Sequence, residues 1–170
     1  PDREIELRIK IAEIAEKRLQ DFERAIASYQ EILYQEPEHL QSMDALESLL
    51  KQTSAFADLA ELYNRKLDAL SEPADRSEIY TRLALVYENE LDQDVEAIDT
   101  WRRQLEEDER HQMAFEMLER LLTKAESYGE LAALYEEWVA NSPNPMLSIE
   151  VHSRLAQLQA DQLGDGMGAI

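Results

Sequence analysis

Apolar positions recur at helical spacing along almost the whole chain. Ile5, Ile9, Ile11, Ala12, Ala15 and Leu19 form one stripe, and Phe22, Ala25, Ile26, Tyr29, Ile32 and Leu33 form a second that stops at Pro37. Leu40, Met43, Leu46, Leu49 and Leu50 make a third. Phe56, Leu59, Ala60, Leu62, Tyr63 and Leu67 make a fourth, closed by Pro73. Carried to the end of the chain, the spacing predicts helices over about 2–19, 22–35, 39–52, 55–70, 75–91, 94–108, 111–124, 127–140 and 146–163. A tenth starts near Gly166 and stops short, and the crowding of Gly164, Gly166 and Gly168 predicts a frayed end.

The stripes repeat. Ala25-Ile26, Ala97-Ile98 and Ala169-Ile170 are each 72 residues apart without a gap. The same shift lays Pro1 on Pro73 and Pro145, Leu7 on Ile79 and Val151, Ala12 on Ala84 and Ala156, and His39 on His111. It also brings Leu49-Leu50 onto Leu121-Leu122 and Leu62-Tyr63 onto Leu134-Tyr135. A register held this long means that each unit stacks on the next in one fixed way. The units run 1–72, 73–144 and a truncated 145–170, together one solenoid domain. Pro1, Pro73 and Pro145 read as helix starts, where a first-turn proline has no hydrogen bond to lose. The chain begins without Met and ends inside a repeat, so both ends read as cuts through a longer array.

Composition supports an all-α chain. Four glycines and five prolines among 170 residues leave few breaks, and the abundant Ala, Leu, Glu, Gln and Arg favour helix throughout. The formal net charge of −20 sets up a field that repels nucleic acid phosphates and anionic lipid and attracts basic proteins or peptides. The plainer reading is that acid solvates an extended helical surface. Without cysteine there is no disulfide or thiolate chemistry, and no apolar run approaches the roughly 18 residues of a membrane span.

The aromatic anchors subdivide the unit. Tyr29 to Tyr63 is 34 residues, Tyr63 to Trp101 is 38, and Trp101 to Tyr135 is again 34. Ala25-x3-Tyr29 followed by Pro37 resembles the second helix of the tetratricopeptide repeat, a 34-residue helix-turn-helix with a small residue, an aromatic four later and a closing proline. Ala97-x3-Trp101, Leu59-x3-Tyr63 and Leu131-x3-Tyr135 match in part. The first-helix signature is weaker, with Arg8, Tyr80 and His152 where the family favours a large aromatic, and with Ile11-Ala12, Leu83-Ala84 and Leu155-Ala156 where it favours Leu-Gly. The resemblance covers four complete repeats and the first helix of a fifth. It implies a right-handed superhelical solenoid of antiparallel hairpins, with a bundle or another helical repeat as the structural alternative. The 38-residue step is read as a longer link between units.

Little in the chain points to catalysis. His39 and His111 recur in phase at helix starts and read as caps, and His152 as a surface residue. Zinc and calcium motifs, a nucleophile elbow and a phosphate-cradling glycine loop are missing from the sequence. The run Glu106-Glu107-Asp108-Glu109 stands at a helix C-terminus, where the helix dipole disfavours acid; it reads as a solvated turn that could hold a divalent cation loosely. The expected role is thus non-catalytic and without cofactor or metal.

One polar recurrence stands out on the first helices. Glu6 precedes Lys10, Glu78 precedes Arg82 and Glu150 precedes Arg154, each by four residues, the better orientation for a helical ion pair. By the family resemblance these positions face the concave groove where ligand peptides lie, with Asp44, Glu116 and Arg120 between the rungs. The groove would grip an extended or helical segment of a partner protein through charge complementarity. A surface pair multiplied by duplication is the alternative. Family members that clasp chaperone C-terminal carboxylates use Lys and Asn on first helices; Ile9 and Glu13 supply neither, which argues against that partner. Trp138 replaces the in-phase Lys66 and is a candidate contact outside the groove, the plainer option being a filled gap. A purely structural solenoid that spaces domains or self-associates through its unit ends is the competing expectation.

Overall fold

The computed structural model describes residues 2–141, 145–161 and 164. Among the described residues every regular element is helical. They run α1 (Asp2–Ile14), continuing as π-helical turns over Ala15–Leu19, then α2 (Phe22–Gln35), α3 (Leu40–Gln52), α4 (Phe56–Ala69), α5 (Pro73–Asn89), α6 (Asp94–Glu107), α7 (Gln112–Lys124), α8 (Tyr128–Asn141) and α9 (Pro145–Asp161). The chain is thus an all-α array of helix hairpins. Pro73 and Pro145 open α5 and α9 as expected. Pro1 and the tenth helix expected near Gly166 lie outside the described residues.

The 38-residue step does not come from a longer link. Only residues 70–72 separate α4 from α5, whereas α5 and α9 are 17 residues long against 13 for α3 and α7. Four extra residues are close to one helical turn of 3.6, so the first helix of a unit lengthens without rotating its apolar face away from the core.

Helix ends are fixed by recurring local chemistry. The Nδ1 atoms of His39 and His111 accept from the backbone N–H of Ser42 and Ala114, each at 3.2 Å, so both histidines cap helices as their phase suggested. Asp21 caps α2 by accepting from the Arg24 N–H at 3.1 Å. The turns from first to second helices pass through left-handed backbone at Gln20, Ser54, Asp92 and Glu126, with φ of 53°, 56°, 54° and 54°.

Two compact bodies divide at Asp92 and Gln93. In the first, α1 to α5 pack around Tyr29, Ile32, Leu33, Met43, Leu49, Tyr63 and Leu67, all at most 3 % exposed. The second, α6 to α9, buries Trp101, Phe115, Leu118, Leu121, Leu122 and Tyr135. Ala97 and Trp101 are fully buried, in keeping with a small residue that admits a close neighbour and an aromatic that fills the hairpin.

The stripe predicted for α1 needs correction. Ile5, Ala12 and Ala15 are buried, but Ile11 is 45 % and Leu19 60 % exposed, and Leu7 and Ile14 also face solvent. The in-phase counterparts of Leu7, Ile11 and Ile14, which are Ile79, Leu83 and Val86 in α5, are buried, because α4 packs against α5. Among the described residues no helix covers α1 in that way.

Candidate functional site

Site geometry begins with an acid on an otherwise apolar face. Glu47 sits in α3 between Leu46 and Leu49, and its side chain is 8 % exposed. Placing a carboxylate there costs desolvation unless cations and donors surround it. They do. Its Oε1 accepts from Lys51 Nζ at 2.6 Å, Tyr63 Oη at 3.0 Å and Arg82 Nη1 at 2.8 Å, and its Oε2 accepts from Lys66 Nζ. Burial alone would raise the Glu47 pKa, but hydrogen bonds and charge from Lys51 and Lys66 outweigh it and hold the carboxyl at about 2. Burial and the Glu47 charge push the Tyr63 phenol up.

The second body repeats this cluster with fewer cations. Glu119 Oε1 accepts from Tyr135 Oη at 2.6 Å and from Arg154 Nη1 at 2.8 Å. Lys51 has become Thr123 and Lys66 has become Trp138. Burial and the hydrogen bond to Glu119 push the Tyr135 phenol well above the ordinary phenol range.

Two of the three expected rungs form. Arg82 donates to Glu78, and Arg154 Nη2 donates to Glu150 at 2.7 Å, both across one turn. Each arginine also reaches inward to Glu47 or Glu119, which ties α5 to α3 and α9 to α7. Asp44 joins the first cluster by accepting from Lys66 Nζ at 2.7 Å. In the second, Glu116 accepts from Gln112 Nε2 at 2.8 Å, and Arg120 lies 3.4 Å from the Met117 sulfur.

The third rung fails. Glu6 and Lys10 are both exposed, and no ion pair joins them among the described residues. Their helix instead pairs Arg8 with Glu4 and with Glu31 of α2. Among the described residues no acid of a neighbouring helix pairs with Lys10 as Glu47 pairs with Arg82. A lone i, i+4 pair on an exposed face is worth only about 0.2–0.5 kcal/mol and does not hold two long side chains by itself.

Sequence reasoning named the rungs and missed what holds them. Glu47 and Glu119 were legible as acids 72 residues apart on an apolar stripe, each 35 residues before an arginine and 16 before a tyrosine. Trp138, the remaining candidate, is half-buried and stacks on Phe115 with ring centroids 4.2 Å apart and planes at 24°.

Among the described residues no cluster of three or more His, Asp or Glu is placed to hold a metal ion, and no helix is long and apolar enough to cross a membrane.

Residues 7–39 match the family model of the tetratricopeptide repeat. The match covers the first hairpin, and the hairpins that follow it are consistent with divergent copies of the same repeat. A crystal structure of MamA aligns with 97 % of this chain and 83 % of its own, at 16 % identity and a TM-score of 0.50. PilF of Pseudomonas aeruginosa aligns over 93 % of this chain and 70 % of its own, at 14 % identity and a TM-score of 0.48. YrrB, described as a TPR protein with an unusual peptide-binding site, aligns over 92 % and 87 %, at 16 % identity and a TM-score of 0.47. No curated protein matches the sequence. The tetratricopeptide fold supports a general role in protein–protein interaction.

Proposed function

We propose that this tetratricopeptide array is a non-catalytic scaffold whose first-helix face, in each body, binds a basic segment of a partner protein. The observation that carries this reading is an asymmetry within the rungs. Arg82 and Arg154 are drawn inward by Glu47 and Glu119, while the carboxylates of Glu78, Glu150 and Asp44 remain 62 %, 59 % and 72 % exposed. The carboxylate is thus the more exposed member of each rung, 62 % against 40 % for Arg82 and 59 % against 42 % for Arg154. Such a face favours Lys- or Arg-bearing segments by complementarity and long-range steering.

Affinity capture with the wild-type chain and with Glu78→Lys/Glu150→Lys tests it. The wild type should retain a partner at low salt and release it at high salt, and the double variant should not retain it. Retention of the same partner by both would overturn the proposal. Both positions are exposed, so the reversals should leave the fold intact, which circular dichroism would verify.

A second reading rests on the exposed stripe of α1. Leu7, Ile11 and Ile14 occupy the phase at which Ile79, Leu83 and Val86 are buried by a neighbouring hairpin. A solenoid that stacks on further helices there would act as a spacer or self-associate without a peptide ligand. Sedimentation separates the readings: mass that grows with concentration in the wild type and not in Leu7→Glu/Ile11→Lys supports stacking, and a concentration-independent monomer excludes self-association.

A further inference from the structure

The two bodies differ on the second-helix side. In the first, Arg65 of α4 reaches across to α2 and donates to the Leu33 carbonyl at 2.9 Å. Its in-phase counterpart in α8 is Glu137, and the neighbouring Glu61 has become Ala133. These changes remove the side chain that bridges the helices and shorten another. Trp138 meanwhile turns onto Phe115, which stands where the first body has Met43. A cavity of about 470 Å³ opens between α6, α7 and α8, within the about 300–1,000 Å³ typical of binding clefts.

Its chemistry is specific. Leu105, Leu118, Leu122, Leu134 and Trp138 make an apolar floor. Glu106, Glu109, Glu130 and Glu137 rim it beside a single cation, Arg102, which is already paired with Glu130. Glu106, Glu109 and Glu137 are exposed and make no ion pair among the described residues. The acidic run at the C-terminal end of α6 thereby acquires a place, since two of its carboxylates edge this cavity against the local helix dipole.

We infer that this cavity is a second docking site, separate from the first-helix face, for a partner segment that inserts a large apolar side chain onto Trp138 and sets flanking Lys or Arg against Glu106, Glu109 and Glu137. The apolar floor rewards burial of the anchor. Three unpaired carboxylates around it select a cationic surround and disfavour an acidic or neutral one.

The test titrates the 15N-labelled chain with an N-acetylated, C-amidated Lys-Phe-Lys-Leu-Lys peptide up to about 1 mM, the weak end of specific association. The indole N–H signal of Trp138 should shift and saturate while that of buried Trp101 stays put. Glu137→Arg, which restores the residue that bridges the helices in the first body, should weaken binding at least about tenfold. So should Glu106→Lys/Glu109→Lys, two exposed rim changes that serve if Glu137→Arg perturbs folding. Glu23→Lys, at an exposed position of α2 in the first body, adds the same positive charge as Glu137→Arg away from both faces and should leave binding within about twofold. A Trp138 signal unmoved at the highest concentration overturns the site. Equal loss in Glu137→Arg and Glu23→Lys, or equal binding of a Glu-Phe-Glu-Leu-Glu peptide, overturns it too, by assigning the effect to the general acidic field or to apolar contact alone.

Discussion

Glu47 and Glu119 are the same residue in two copies, with different burdens. Glu47 is nearly buried beside Lys66, whose side chain is 5 % exposed, whereas Glu119 is 23 % exposed and faces one arginine and one tyrosine. Removing one partner from a buried pair strands the other charge, at about 3–5 kcal/mol; exposed pairs contribute about 0–1. Because Lys66 keeps Asp44, Glu47→Gln should cost about 3 kcal/mol, at the low end. Glu119→Gln should cost about 1. Urea unfolding of both variants checks the contrast, and equal costs would contradict the burial argument. Glu47 also sets a pH dependence. Its folded pKa of about 2 lies below its ordinary 4.5, so within that window the unfolded chain binds more protons and stability rises with pH. The stabilisation is complete above pH 4.5 and is lost as pH falls toward 2. Glu47→Gln should flatten that part of the stability profile relative to wild type.

At the scale of the helix, the sequence was most readable where periodicity was long and least readable where one turn made the difference. Stripes and prolines placed nine helices to within about two residues at most ends, among the described residues. The 38-residue step was misread because spacing alone does not separate a longer loop from a longer helix; four residues are about one turn and leave the apolar phase unchanged. The left-handed turns at Gln20 and Asp92, and at Ser54 and Glu126, were silent in the sequence, since none of these residues is glycine. Gly164, in phase with the first two, has φ of 65°. An L-residue in this region costs roughly 1–2 kcal/mol, partly offset by the greater unfolded-state entropy of glycine. Ser54→Gly and Glu126→Gly should each stabilise the chain by about 0.5–1 kcal/mol, read as a rise in thermal midpoint; destabilisation would show that side-chain contacts at these turns outweigh backbone strain. Replacing the His111 cap by Ala should cost about 1 kcal/mol, with much of it restored by Asn.

For the molecule as a whole, the repeat made fold and class of activity legible while leaving the interaction surfaces partly hidden. Rungs at Glu78–Arg82 and Glu150–Arg154 could be read from spacing, yet their inward tether to Glu47 and Glu119 depends on which helices meet. That tether leaves the carboxylate the more exposed member of each rung. The cavity beside Trp138 was harder to foresee, because its lining is gathered from α6, α7 and α8, with Ala133, Glu137 and Trp138 standing where the other copy has Glu61, Arg65 and Lys66. Hydrogen exchange of the chain, with and without the partner it captures, tests the central claim most directly. The account predicts slowed exchange concentrated in the first helices α3, α5, α7 and α9 and abolished by Glu78→Lys/Glu150→Lys. Protection confined to the second helices, or unchanged by that double variant, would contradict it.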